Sequence, residues 1–281
     1  MVSGSRAMIG QTKVLENINR IANGNFPRFS IICGQKHGGK KLIAKEIAKI
    51  LNAQLISTNV KVDTIRDIIK LAYKQTEPTV YLLADADKMS LAAKNALLKI
   101  TEEPPQKAYF IMTITDINNT LQTLRSRGTI INLDPYTPSE LLRYADEKGY
   151  DLNDEEEHIV TNVCTVPGEI DLIVRYNIIE FYKFVETVIK NIGIANGANA
   201  FKIASRFNYK AGDGGWDISL FFKAIMYVSR QLMIETPKRE LKDTIKVTSK
   251  YLSQLNINGV NKSSTVDMWI LETRGVWIKE G

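Results

Sequence analysis

From residue 8 to residue 135 the apolar positions alternate between two rhythms. Short unbroken runs, in "RFSIICG", "AQLIST", "TVYLLADA", "AYFIMTIT" and "GTIINL", read as strands, and the continuity of the longer ones predicts strands covered on both faces. Between them the apolar residues recur every three or four positions. Val14, Leu15, Ile18, Ile21 and Ala22 form one such stripe, Leu42, Ile43, Ile47, Ala48 and Leu51 a second, and Ile65, Ile68, Ile69 and Ala72 a third. Each predicts an amphipathic helix. The stretch "SLAAKNALLKITEE" adds a helix that Ser90 can cap and Pro104-Pro105 must end. "NTLQTLRSR" reads as one more helical piece. Strands alternating with helices predict an α/β fold, a parallel sheet with helices on both faces.

Beyond "TPSELLRYADEKG" the strands stop. Residues 137–175 read as a small helical unit, with Thr137 or Ser139 as a cap and "DEEEHIVTNVC" as a second helix. Residues 176–281 read as longer helices, "IIEFYKFVETVIKNI", "ISLFFKAIMYVSRQLM" and "RELKDTIKVTSKYLSQLN", separated by glycine-rich joints at 193–197 and 211–215. The expected domains are therefore 1–136, an α/β domain; 137–175, a helical lid; and 176–281, an all-α collar for oligomerisation. Trp216, Trp269 and Trp277 are expected in the helical core or at subunit contacts.

Composition narrows the picture only a little. With 44% apolar and 24% charged residues in 281, the chain has enough core-forming material that disorder is not its default. The apolar runs are far shorter than the roughly 18 residues a membrane span needs, and "MVSGSRAMIGQ" lacks the apolar stretch of a signal peptide. A cytoplasmic protein is the expectation. Cys33 and Cys164, the two cysteines, have no cysteine or histidine neighbours at ligand spacing, so no metal site is expected. The formal charge of +6 allows a polyanionic partner without demanding one.

The chemistry concentrates after the first strand. Gly34-Gln35-Lys36-His37-Gly38-Gly39-Lys40-Lys41 nearly spells the phosphate loop G-x-x-x-x-G-K-[ST], between a strand and a helix as that motif requires. Backbone N–H groups of such a loop face phosphates and its lysine adds charge. Lys41 stands where the magnesium-binding hydroxyl belongs, placing a second cation there. Further on, Leu82-Leu83-Ala84-Asp85-Ala86-Asp87 ends a buried strand where an ATPase carries a metal aspartate and a glutamate. Here those places hold Ala84 and the shorter Asp85, so Asp85 and Asp87 read as residues of a degraded acidic motif that cap a turn. Lys88, Lys94 and Lys99 nearby are expected on a face turned either to DNA or to solvent.

Together, "MIGQTKVLENI", the glycine loop, "ADADKMSLAAKNALLKITEEPP", "YFIMTITD" and "LRSRG" stand in the order and spacing of the clamp-loader AAA+ ATPases. The chain resembles that family over residues 8 to about 175, most of all its delta-prime type of subunit in bacterial-type DNA polymerase III. "NALLKITEEPP" followed by "SRG" is the most specific part. The last hundred residues resemble the family's helical collar in type only. By this resemblance Arg127 matches the arginine finger inserted into a neighbour's ATP site, and Thr115 falls at the first sensor position. Gly128 stands where the family usually has cysteine. The second-sensor arginine is absent from "VPGEIDLI", and the four-cysteine zinc insert is missing, which implies a stripped-down, viral-type version.

The resemblance implies a DNA replication subunit within an ATP-driven ring, with other loader subunits including an active ATPase, a sliding clamp and primer-template DNA as partners. The three losses, at Lys41, Ala84 and the second sensor, predict a site of Gly34, Gly38, Gly39, Lys40, Lys41 and Thr115 that holds ATP or ADP weakly at most and does not hydrolyse it, with Arg127 acting in trans. Two alternatives remain at this stage. One is an active motor subunit in which Asp85 takes the metal; the other is an AAA+ adaptor that recruits a helicase or binds DNA by itself.

Overall fold

The computed structural model describes residues 9–193, 215–255 and 261–278. Two compact units make up the chain, Met1–Tyr136 and Thr137–Gly281. The first begins with α1 (Thr12–Ala22) and then runs β1 (Phe29–Cys33), α2 (Lys40–Ile50), β2 (Gln54–Thr58), α3 (Val62–Ala72), β3 (Thr79–Leu83), α4 (Leu91–Glu102), β4 (Ala108–Ile114), α5 (Gln122–Arg125) and β5 (Thr129–Asn132). The five strands are ordered β2-β3-β4-β1-β5, every adjacent pair parallel.

Strand residues alternate between two cores because successive side chains point to opposite faces. Ile31, Tyr81, Leu83, Phe110 and Met112 meet Ile65 and Ile68 of α3 and Leu97 and Ile100 of α4 on one face. Ile32, Val80, Leu82 and Ile111 meet Val14 and Ile18 of α1 and Ile43 and Ile47 of α2 on the other. This double burial is the cause of the unbroken apolar runs. The edge strand β5 is only partly buried and leaves Ile130 exposed.

Two local expectations shift. The buried stripe of α2 is Ile43, Ala44, Ile47 and Ala48, whereas Leu42 is exposed; at about 100° per residue it falls on the side of the helix opposite the arc that the others share. Ser90 does cap α4, accepting from the Ala93 N–H at 3.2 Å, and Pro104 follows where the helix ends. On α4 itself, Lys94 faces neither solvent nor an open surface. It is buried, and its ammonium donates to the Asn119 carbonyl, whereas Lys88 and Lys99 are exposed.

The second unit is helical throughout its described residues: α6 (Pro138–Lys148), α7 (Asp154–Val163), α8 (Pro167–Arg175), α9 (Ile178–Asn191), α10 (Ile218–Glu235), α11 (Arg239–Gln254) and α12 (Lys262–Ile278). Thr137 rather than Ser139 caps α6, in a reciprocal box with Glu140, and Asn153 does the same for α7 with Glu156. Most of the glycine-rich joints expected at 193–197 and 211–215 lie outside the described residues.

Helix α12 is an element the apolar pattern did not announce. Its buried positions are Thr265, Val266, Trp269, Ile270 and Thr273, while Met268, Leu271 and Ile278 are exposed, so the side chains on its inner and outer faces are too alike to form a visible stripe. Trp269 is fully buried against Phe221 and Phe222 and donates its indole N–H to Thr248 at 2.9 Å. Trp277 donates likewise to Thr244 at 3.0 Å, and Trp216 stacks among Tyr176, Phe181 and Phe184. Threonines inside α11 thus satisfy the indole donors that burial would otherwise strand.

The region 137–175 is tied to the later helices by charge as well as by packing. The Lys223 ammonium lies 2.5 Å from a Glu169 carboxylate oxygen and 2.6 Å from the Thr165 hydroxyl, and the Thr165 N–H donates to the same carboxylate at 2.8 Å. Glu169 is buried, and a buried carboxylate persists only when its charge is compensated in this way. Among the described residues no helix is long and apolar enough to cross a membrane, and no group of three or more His, Cys, Asp or Glu side chains could hold a metal ion.

Candidate functional site

The glycine loop leaves the carboxyl end of β1, flanked by β4 and β5, the place where ligands bind in open parallel sheets. Its conformation requires its glycines. Gly39 caps α2 with φ +88°, a left-handed value that suits a residue without Cβ, and at Gly34 a Cβ would come within 3.1 Å of the Leu133 side chain. His37 also takes a positive φ, 63°. The loop is therefore shaped as a phosphate loop, with the N-terminus of α2 behind it.

Several polar groups of that loop are bonded to the chain itself. The Lys40 ammonium donates to the Gly34 and Gln35 carbonyls, each at 2.7 Å, and the residue is buried. Burial lowers its pKa from the usual lysine value, opposed by the nearby Asp87 and Asp85 charges. The Gly38 N–H bonds back to Gln35 at 3.2 Å, and the Tyr136 hydroxyl donates to the Gly38 carbonyl at 3.1 Å. A side chain from the segment after β5 thereby lies across the loop.

The degraded acidic motif meets the loop from β3. Lys41 and Asp85 form an ion pair at 3.3 Å, both well exposed. Asp85 takes a left-handed backbone, φ 55°, and its N–H donates to the Thr113 hydroxyl at 3.0 Å. Asp87 accepts the Thr115 N–H at 2.8 Å, which ties the end of β3 to the end of β4. Magnesium does not fit this donor set: an ammonium group occupies the hydroxyl position and is paired with the nearest carboxylate, and Ala84 offers no oxygen from its side chain.

Gly34, Gly38, Gly39, Lys40, Lys41, Asp85, Asp87 and Thr115 therefore come together at the carboxyl ends of β1, β3 and β4. Arg127 does not join them. It lies in the turn before β5, and in this parallel sheet the start of β5 is beside the start of β1, with Ser30 level with Thr129. The four residue steps along β1 separate that end from the loop by about 13 Å at ~3.3 Å per residue. At its own end, Arg127 donates through Nη1 to the Thr123 carbonyl at 2.5 Å and through Nη2 to the Glu102 carboxylate. Gly128 explains itself sterically: a Cβ there would come within 3.0 Å of Ile31 and Phe29 on β1, so a larger residue has no room without a shift.

Three contributors escaped the sequence reading. Tyr136 follows the last strand and belongs to no periodic pattern. Gln11, fully buried, exchanges two 2.9 Å hydrogen bonds with the backbone of Asp134 and so pins the segment that carries Tyr136; its place in the quoted "MIGQ" was the available signal. Glu102 is the third, visible only as one letter of "TEEPP". On α8, where a second-sensor arginine was sought in vain, Asp171 accepts from the hydroxyls of Tyr144 and Tyr150, at 2.9 Å from each. With Glu169 held by Lys223, both acids of "PGEID" have partners inside the second unit.

Comparison with known proteins agrees with this architecture. Residues 7–137 match the family described as DNA polymerase III, delta subunit. The DNA polymerase III subunit gamma of Buchnera aphidicola subsp. Schizaphis graminum is 28% identical over 186 residues, 54% of this chain and 51% of that protein. The DNA polymerase III subunit delta' of Yersinia pestis is 32% identical over 100 residues, 34% of this chain and 29% of that one. The chain thus spans at most about half the length of these relatives. Among solved structures, a gamma-subunit-related protein of DNA polymerase III from Thermotoga maritima aligns with TM-score 0.51 at 16% identity, over 94% of this chain and 99% of that one. The RuvB Holliday junction branch migration motor of Thermotoga maritima aligns with TM-score 0.52 at 19% identity, over 94% and 88%. The fold is AAA+-like: a five-stranded parallel sheet followed by a helical carboxyl-terminal portion.

Proposed function

We propose that this chain, a clamp-loader-type member of the DNA polymerase III subunit families by its match over residues 7–137, is a non-hydrolysing subunit that lends Arg127 to the ATP site of a neighbour. The observation that carries this reading is the placement of Arg127 at the opposite end of the parallel sheet from the chain's own glycine loop. From there it cannot serve its own loop, but it can serve a nucleotide held by an adjacent subunit. A guanidinium fixed beside a transferring γ-phosphoryl group neutralises developing charge, a contribution of roughly 10³ to 10⁵ in rate where such fingers act.

Its own loop keeps the phosphate-binding shape while Lys40, Tyr136 and the Lys41–Asp85 pair occupy its polar groups. ATP or ADP is held weakly at most and is not turned over. The helical region assembles with other loader subunits, and the ring so formed opens a sliding clamp onto primer-template DNA in the cytoplasm. Supporting the assembly role, Met268, Leu271 and Ile278 lie exposed at positions three and seven apart on α12, an apolar stripe of the kind helices bury against one another.

The test compares the purified chain with the complex isolated through a tag on it. The chain alone shows no ATP turnover at millimolar Mg²⁺, while Arg127→Ala lowers DNA-stimulated turnover by the complex by roughly 10³-fold, to a residual rate that stays measurable. Undiminished turnover in that variant complex overturns the trans role. Hydrolysis by the chain alone, lost on Lys40→Ala, would instead make it a motor subunit in its own right.

A further inference from the structure

Glu102 stands in the quoted "NALLKITEEPP" without a role assigned to it, yet it holds the Arg127 guanidinium. We infer that Glu102 is a positioning residue for Arg127, aiming the finger before a neighbour's nucleotide arrives; the inference rests on the trans role proposed above. Glu102 is the last residue of α4 and Glu103 caps it, so two carboxylates sit at the negative end of a helix, where acidic side chains are electrostatically disfavoured. Helix α4 is otherwise made of good helix formers and stops at Pro104. An acid there breaks a local rule, and locally unfavourable choices point to a constraint from elsewhere.

The compensating charge is Arg127. Its Nη2 donates to Glu102 and its Nη1 to the Thr123 carbonyl, so two acceptors from two different elements, the end of α4 and the turn of α5, grip one planar group. A guanidinium carries five N–H donors in a rigid fork; these two contacts engage two of them and restrain its plane. The arginine side chain is 30% exposed, enough for a phosphate to reach it. Holding a catalytic cation in this way removes the entropy of orienting it during the reaction. Because the grip is a hydrogen bond to one carboxylate oxygen, an amide oxygen can replace it.

Variants of Glu102 in the tagged complex test this, with ATP as substrate and primed DNA as stimulant. Glu102→Ala lowers kcat about tenfold with KM for ATP unchanged, the scale expected of a misaimed group; Glu102→Gln retains most of the wild-type kcat. The Glu102→Ala, Arg127→Ala double variant is no slower than Arg127→Ala alone, since the carboxylate acts only through the arginine. A merely structural role for Glu102 would lower the chain's thermal midpoint and its recovery in the complex, and would add its loss to that of Arg127. Wild-type or faster turnover in Glu102→Ala, or a change confined to KM, overturns the inference while leaving the finger intact. If Arg127→Ala itself turns over normally, the finger reading fails and this inference falls with it.

Discussion

At the carboxyl end of the sheet several polar groups of the Gly34–Lys41 loop are bonded within the chain: Lys40 to two carbonyls, Tyr136 to a third, Lys41 to Asp85. At the amino end Arg127 donates to the Thr123 carbonyl and the Glu102 carboxylate, with its side chain 30% exposed. Both ends carry cations, Lys40 and Lys41 at one and Arg127 at the other. What separates them is which hydrogen bonds are already made. The lysine of the loop is buried and bonded to two carbonyls, whereas the Arg127 fork is partly exposed. Under the function proposed above, the contrast separates a loop engaged within the chain from an arginine available to a neighbouring subunit.

The largest stability effect should come from Lys40, because the comparison assigns it a structural task. Lys40→Met keeps the length of the side chain but leaves the Gly34 and Gln35 carbonyls without their ammonium donor, and should destabilise the chain by about 2 kcal/mol, in the range for hydrogen bonds involving a charged group. Thermal unfolding of the chain without nucleotide measures it. The pH dependence has a definite sign. Burial lowers the folded pKa of Lys40, so just below the usual lysine value the unfolded chain binds more protons, and this residue makes stability rise with pH in that window. Lys40→Met removes that rise. A variant as stable as the wild type would mean that Lys40 is free for a ligand, and the contrast between the two ends would disappear.

Gly128 probes the other end. Cysteine there, the residue the resemblance leads one to expect, would press against Ile31 and Phe29 at 3.0 Å and should cost about 1 to 2 kcal/mol as an overpacked site. Denaturant unfolding of Gly128→Cys measures the cost. Since the strain falls in the turn that carries Arg127, turnover by the complex should drop as well. If cysteine is accommodated without loss, the family's usual residue fits this sheet and the local geometry of the finger is less constrained than the contacts imply.

These sites also mark where the sequence could be read and where it could not. Strands buried on both faces gave continuous apolar runs, and the loop gave its glycines, because each of those features is a local demand on residue type. The partners of the loop and finger are long-range: Tyr136 reaches Gly38 across 98 positions and Glu102 reaches Arg127 across 25, and no spacing rule links them. Lys94 misled because a lysine on a helix is normally solvated, whereas here a carbonyl of the following segment accepts its proton. Helix α12 was hidden for the opposite reason. Its buried threonines and exposed Met268 and Leu271 blur the inside and outside that a periodic reading depends on.

The smallest effect should come from Lys41, where the wrong letter of the motif sits. Its pair with Asp85 spans 3.3 Å with side chains 60% and 47% exposed, and exposed ion pairs contribute ~0 to 1 kcal/mol. Lys41→Thr should therefore change stability by no more than about 0.5 kcal/mol, while removing an ammonium group from the place where a metal would bind. If that charge is what keeps magnesium out, Mg²⁺-ADP should raise the thermal midpoint of the variant more than that of the wild type, because a ligand stabilises only the state it binds. A larger stability loss would show that the pair is a strut of the fold. Equal midpoints with Mg²⁺-ADP would place the block elsewhere in the loop, with Lys40 held on its carbonyls and Tyr136 lying across Gly38.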